Sequence, residues 1–253
     1  MKTQEKNFDG IKLSGFTAIL IMLALTGTAI YLLSLPQTPS IIAGVICGIC
    51  VVVMLPGFMI IQPNNSRVLT FFGRYAGTVI SNGFYWVNPL FLKSTVTLRI
   101  LNLNIDPIKV NDKVGNPIMI GAVVVWRIKD TYKASFDISG NIREFVQIQS
   151  DAALRQVAGM YAYDTNETID KVTLRSDESG EITQRLEDEL NSRLAIAGIE
   201  IVEARINYLA YASEIASVML RRQQADAIIS ARERIVEGAV SMVHLALEKL
   251  EKD

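Results

Sequence analysis

The chain has 253 residues, half of them hydrophobic, with 25 basic and 26 acidic side chains, a net charge of −1 and one histidine. That balance leaves no basic stripe for nucleic acid, and a single histidine argues against a His-rich metal site or a Ser-His-Asp triad. The charges are unevenly placed: between Lys12 and Arg67 there is none.

That window holds two apolar runs, Ser14–Leu35 and Ile41–Ile61, joined by Pro36-Gln37-Thr38-Pro39-Ser40. Each is about 21 residues, or roughly 31 Å as a helix, against a hydrocarbon core of about 30 Å. The pattern predicts a helical hairpin in a membrane. Lys2, Lys6 and Lys12 precede it and Arg67 and Arg74 follow it, so the positive-inside bias puts both ends in the cytoplasm of a cell (inner or plasma) membrane. A cleaved signal peptide fits poorly, because the first run exceeds the usual apolar core and a second run follows at once. A re-entrant wedge has the same charge pattern and stays open, with Pro56-Gly57 expected to kink the second run; length favours spanning. Cys47 and Cys50 form a C-x-x-C inside the second run, with no charged group nearby to activate a thiol, and are expected as small residues at a helix–helix seam.

Residues 62–130 read as β. Val68 to Phe72 is a short strand closed by Gly73. From Ser94 to Val110 the chain alternates, but Leu101, Leu103 and Ile105 break phase with Val96, Leu98 and Ile100, which predicts a bulge or bend near Ile100–Leu101. Asn111 to Pro117 is a turn cluster, and Ile118 to Ile128 a second long strand, together a hairpin. Residues 131–211 read as α/β: a helical turn over Asp130–Phe136, a helix over Asn141–Met160, a polar irregular stretch over Tyr161–Ser176, and a helix over Glu178–Ala197. Ile182, Leu186, Leu190 and Leu194 line that last helix and Gly198 stops it, before a strand over Glu200–Leu209. Residues 1–61 are thus the tail and hairpin.

Residues 212–253 read as one helix of roughly 60 Å. Ile228, Ile235, Ala239, Met242 and Ala246 make one heptad-like seam; Ile229, Val236, Val240, Val243, Leu247 and Leu250 make a second beside it. One seam suffices for a two-stranded coiled coil, so two predict a neighbour on each side, as in a ring of parallel helices. The bland alternative is one broad stripe lying on the chain's own domain.

In this order the residues resemble a known family. Ile61-Gln62-Pro63 and Phe72-Gly73-Arg74-Tyr75 follow the membrane segment. Gly83 to Pro89, Val110-Asn111-Asp112-Lys113, Val123 to Asp130, Ala153-Leu154-Arg155, Ala197 to Ile201 and Val236-Glu237-Gly238-Ala239 come after them. Their order and spacing are similar to the SPFH or band 7 superfamily of stomatins, prohibitins and flotillins, nearest its bacterial stomatin-like (slipin) members. The chain departs from the pattern in having Asn82-Gly83 where Pro-Gly is usual, and only a brief Ala- and Glu-rich repeat in the long helix. Slipin-like proteins commonly carry a further apolar segment beyond the point where Asp253 stands. The resemblance implies a membrane-anchored α+β fold: hairpin, β-rich SPFH1 subdomain (62–130), α/β SPFH2 subdomain (131–211) and oligomerisation helix. It implies a homo-oligomeric scaffold that forms a ring or cage on the membrane and organises proteins and lipids there, with no reaction or cofactor attached. The alternative is a regulatory subunit of a membrane protease or channel.

For an enzyme, neither a G-x-S-x-G elbow nor a phosphate-binding G-x-x-x-x-G-K-[ST] loop is found. Glu187-Asp188-Glu189 is acidic but spreads over about 200° of a helix, as a solvated face does. Phe84, Tyr85 and Trp86, with Phe91, are candidates for an interfacial anchor, against the alternative of a packed β core; alternation puts Tyr85 opposite the other two. Arg222 and Asp226, four apart, are expected to pair at a few tenths of a kcal/mol.

Overall fold

The computed structural model describes residues 5–164, 172–176 and 180–250, with side chains in the last helix described as far as Leu245. The expected α+β architecture is present: two apolar helices, a β-sheet region with further short helices, and a long C-terminal helix. The chain divides into two compact units: Met1–Leu103, Val125–Gln149 and Leu190–Glu203, and then Asn104–Val124, Ser150–Glu189 and Ala204–Asp253.

In the first unit, helices α1 (Gly15–Ser34) and α2 (Thr38–Met54) form the hairpin. The connector is shorter than its prolines suggested, because Pro39 sits in the first turn of α2, where its missing N–H costs nothing. The second run does not stay helical to Ile61. It tightens into a 3-10 turn at Leu55–Gly57, where Pro56 ends the α-helical ladder, and becomes strand β2 (Phe58–Ile61). Gly44 is buried in the seam at a close approach of the two helices, where a Cβ would lie 3.1 Å from the carbonyl oxygen of Ala29. Cys47 is half-buried in α2, whereas Cys50 is exposed and off the seam.

Strands β3 (Asn65–Phe71), β4 (Arg74–Val79) and β6 (Phe91–Thr97) form one sheet, in the order β4-β3-β6. A second sheet has β5 (Gly83–Trp86) between β1 (Leu13–Ser14) and β2. Met59, Ile61, Leu69, Val79 and Val87 form the buried cluster of this region, with Phe8, Ala76, Tyr85 and Phe91 packed against it. The chain ahead of the hairpin is therefore docked: Phe8 N–H donates to Thr78 O at 3.1 Å and Thr78 N–H to Lys6 O at 2.9 Å. Thr131 Oγ1, itself 2.9 Å from Thr78 Oγ1, donates to a Glu5 carboxylate oxygen at 2.6 Å.

The phase break at Ile100 is a change of sheet. β6 ends at Thr97, and β7 (Leu101–Asn111) starts the third sheet, ordered β7-β8-β9 with β8 (Pro117–Ile128) and β9 (Ile199–Tyr211). The turn between β7 and β8 is built by buried Asp112, whose carboxylate accepts from the N–H of Val114, Asn116 and Tyr163. Helix α3 (Thr131–Phe136) is N-capped by Asp130, which accepts from Lys133 N–H. In α4 (Ile142–Ala158) the buried stripe is Val146, Ser150, Ala153, Leu154 and Val157, while Ile148 is exposed.

Helix α5 (Glu181–Leu194) has its expected stripe wholly buried. It then closes through a 3-10 turn, Ala195–Ala197, onto Gly198 in the left-handed conformation. The residues 165–171 and 177–179, parts of the stretches read as irregular and as helix start, lie outside the described residues. The acidic cluster is more than a solvated face: Glu187 accepts the N–H of Ala204 at 3.1 Å. In β9 the buried parity shifts between Ile201 and Ala204, and there a side chain of α5 takes over a backbone donor.

Helix α6 (Ser213–Leu250) belongs to the second unit. Its first turn is fixed by Ala212 N–H donating to Pro117 O at 2.9 Å and by an ion pair between Glu214 and Lys109. Gln223 reaches Asp164 at 3.2 Å. From Ala227 to Leu245 every residue is exposed.

Candidate functional site

The hairpin and the sheet β1-β5-β2 meet at one place. Leu13 of β1 and Phe58 of β2 both stand opposite Trp86 of β5, and Ser14 and Met59 both stand opposite Tyr85. The strand that enters the hairpin and the strand that leaves it are thus hydrogen-bonded to the two edges of the same short strand. The two feet of the hairpin are therefore held side by side, one on each edge of β5.

The strand period sorts the side chains into two layers. Met59, Ile61 and Tyr85 turn to the buried cluster. On the opposite face are Leu13, Phe58, Ile60, Phe84 and Trp86. Phe84 stacks on Phe58 with centroids 5.6 Å apart and meets Phe16 of α1 edge-on at 5.6 Å. Trp86 Nε1–H donates to Met54 O, a carbonyl freed by the end of α2, at 2.9 Å. Gly57 makes this possible, since a Cβ there would lie 2.3 Å from the indole nitrogen. Ile60 on the same face is 65% exposed.

Of the four aromatic residues singled out in the sequence, the structure brings Phe84 and Trp86 together at the foot of the hairpin. Tyr85 faces inward, donates to Asn82 O at 3.2 Å, and carries the Lys12 ammonium 4.7 Å from its ring centroid. Phe91 packs edge-on to Phe8 at 5.4 Å and against Phe71 at 5.3 Å. A neighbouring apolar patch was missed: Phe71, Phe72, Leu90 and Leu92 are exposed, Phe72 at 78% and with a φ of 46°. The only signal for it was Phe71-Phe72 running directly into the Gly73 turn.

The hairpin carries the membrane chemistry itself. Phe16 is 71% and Val52 64% exposed, alongside many other large apolar side chains of α1 and α2. Such a surface is not tolerated in water but is ordinary in lipid. Each Ser and Thr hydroxyl of α1 is satisfied within the helix: Thr17 on Ser14 O, Thr26 on Leu23 O, Thr28 on Leu25 O and Ser34 on Tyr31 O, at 2.6–2.9 Å. That internal satisfaction is what a bilayer interior demands.

At the foot, Lys93 of β6 directs its ammonium at two carbonyls, Pro56 O and Phe58 O. This places positive charge at the carbonyls just beyond the end of α2. Burial, and then the nearby Arg67, push the Lys93 ammonium below the usual lysine range.

The seam residues of α6 fall where the sequence put them on the helix. Ile228, Ile229, Ile235, Val236, Ala239, Val240, Met242 and Val243 are all exposed, Ile235 at 71%. The side chains of Ala246, Leu247 and Leu250 lie outside the described residues. Arg222 and Asp226 pair at 3.9 Å. His244 is exposed on the same helix, and among the described residues no three His, Cys, Asp or Glu side chains are grouped to hold a metal.

These features define a membrane-associated α+β protein with an apolar hairpin rooted in a small β-sheet. The SPFH domain / Band 7 family pattern matches residues 59–239, from β2 to within α6. The chain belongs to that family, which is associated with membrane scaffolding and is generally non-enzymatic. No curated protein matches the chain.

Proposed function

We propose that the protein is a homo-oligomeric membrane scaffold, in the manner of the stomatin-like members of its family. The hairpin spans the cell membrane, both termini and the SPFH domain lie in the cytoplasm, and neighbouring copies join through α6 into a ring or cage that gathers membrane proteins and lipids. The observation that supports this best is the uncovered apolar surface of α6. Its own chain leaves both seams exposed from Ala227 to Leu245. Each seam residue covered by a neighbour contributes about 1.5–3 kcal/mol. Half a dozen such contacts are on the scale of the roughly 4–15 kcal/mol that association costs. Phe84, Trp86 and the exposed Phe72, Leu90 and Leu92 supply the apolar face on which the domain rests against the bilayer.

Blue-native sizing of the purified full chain tests assembly. Large particles formed by this chain alone are expected. A small species that grows only when a membrane protease or channel is supplied would instead support the regulatory-subunit alternative. Spanning is tested at the hairpin turn: Thr38→Cys should react with an impermeant thiol reagent from the outer side of intact cells, whereas labelling only from the cytoplasmic side would establish a re-entrant wedge.

A further inference from the structure

Beside the foot of the hairpin is a groove of about 390 Å³ lined by Pro56, Phe58, Met59, Ile60, Arg67, Phe84 and Lys93. Its lining is of two kinds. Phe58, Ile60 and Phe84 belong to the outward face of the sheet at which the chain enters the bilayer, and they offer an apolar wall. Arg67 and Lys93 come from β3 and β6, where Arg67 stands opposite Thr95 and Leu69 opposite Lys93. The strand period therefore puts the two cations on one face of that sheet, one pleat apart.

Both cations are half-buried. Among the described residues neither makes an ion pair; Lys93 meets only the carbonyls of Pro56 and Phe58. Two like charges with no carboxylate between them repel, and Lys93 shows the cost, its protonated form being weakened by burial and then by Arg67. Basic residues on adjacent strands are ordinarily solvated and aim at water. Here both line a groove whose other lining residues include Phe58, Ile60 and Phe84.

We propose that this groove binds the headgroup phosphate of an anionic phospholipid from the bilayer that holds the hairpin. The phosphate lies between Arg67 and Lys93, and the glycerol and upper acyl chains run along Ile60, Phe58 and Phe84. The net-negative headgroup is preferred over a zwitterionic one because the groove supplies no acid to meet a choline or ammonium group. A guanidinium suits a phosphate by its planar fork of donors, and the anion relieves the repulsion between the two cations. The site rests on the membrane reading of the hairpin.

The test uses the full chain, washed free of lipid in mild detergent, with retained lipid counted by native mass spectrometry during titration with phosphatidylglycerol, phosphatidylcholine or inorganic phosphate. Phosphatidylglycerol should bind about tenfold more tightly than phosphatidylcholine, the effect of one or two charge-assisted bonds. Arg67→Gln should remove about tenfold of that affinity, and Arg74→Gln, an equal charge change on an exposed residue of β4, less than about twofold. Lys93→Gln should act like Arg67→Gln. Because Lys93 also caps the hairpin foot, Arg67→Gln alone decides if the Lys93 variant unfolds. Equal losses at Arg67 and Arg74, equal binding of the two lipids, or displacement of phosphatidylglycerol by phosphate at comparable concentration would each overturn the site. Vesicle flotation separates the two levels: a chain that floats with both lipids but shows no preference sinks the site alone, and one that floats with neither sinks the membrane reading and the site together.

Discussion

The hairpin and the C-terminal helix expose similar side chains for different reasons. Phe16, Leu23 and Val52 in the first are about as uncovered as Ile235, Val236 and Met242 in the second. Exposure alone does not say what is missing from around them. Charge does. The hairpin has no charged residue, and the hydroxyls of α1 turn back on their own helix. α6 interleaves its apolar seams with Arg221, Arg222, Asp226, Arg232, Glu233, Arg234 and Glu237, so its other faces stay in water. Lipid can surround a helix on all sides, whereas a seam bordered by charges fits a protein surface that covers only the seam.

The same kind of substitution in the two regions should break them in different ways. Leu23→Asp, near the middle of α1, should cost about 3 kcal/mol of insertion and release the protein on carbonate extraction; full retention would mean that the hairpin is not in the hydrocarbon. Val236→Asp should leave extraction unchanged and abolish the large species on a native gel. It should shift unfolding of the domain by no more than about 0.5 kcal/mol, because the residue is 62% exposed in its own chain. A clear fall in thermal stability would show that α6 packs on its own domain instead.

The junction between hairpin and sheet is probed by Trp86→Phe, which keeps an aromatic side chain, though a smaller one, and removes the bond to Met54 O. A loss of about 1 kcal/mol is expected in thermal unfolding, with faster hydrogen exchange confined to the foot. No change would mean that the strand pairing of β1 and β2 with β5 holds the foot by itself. The smallest effect is at the surface. Lys129, and after it Arg127, hold the Glu200 carboxyl below the usual range through side-chain hydrogen bonds. Its stabilising contribution is therefore present above the unfolded carboxyl pKa of about 4.3 and is lost as pH falls through the depressed folded value. Glu200→Gln should flatten that acid limb by less than about 1 kcal/mol, since solvent screens the pair.

Much of the chain was legible residue by residue. Ile182, Leu186, Leu190 and Leu194 marked a buried helix face through their spacing, and all four are fully buried. Gly198 marked its end, Pro117 opened a strand, and the phase slip at Ile100–Leu101 marked a break. Even the two seams of α6 follow from residue spacing alone, because helical period is a local property. Phe58–Ile61 could not be read this way. Four apolar residues after an apolar helix are equally consistent with more helix, until a partner strand takes up their backbone donors and acceptors.

Residue order alone locates the charge-free apolar segment, the apolar faces of the later helices, and the excess of apolar surface on α6 over what a solitary helix uses. Chain packing was needed to show that Phe58–Ile61 joins β5, that the Glu5–Phe8 segment docks on the first unit, and that Phe84 and Trp86 face the hairpin while Tyr85 and Phe91 face the core. It also decided that Arg67 and Lys93 share one groove. Those outcomes depend on register between segments tens of residues apart, and a one-residue slip in pairing would turn every side chain to the opposite face; periodicity fixes the faces of a strand but not which face meets the core.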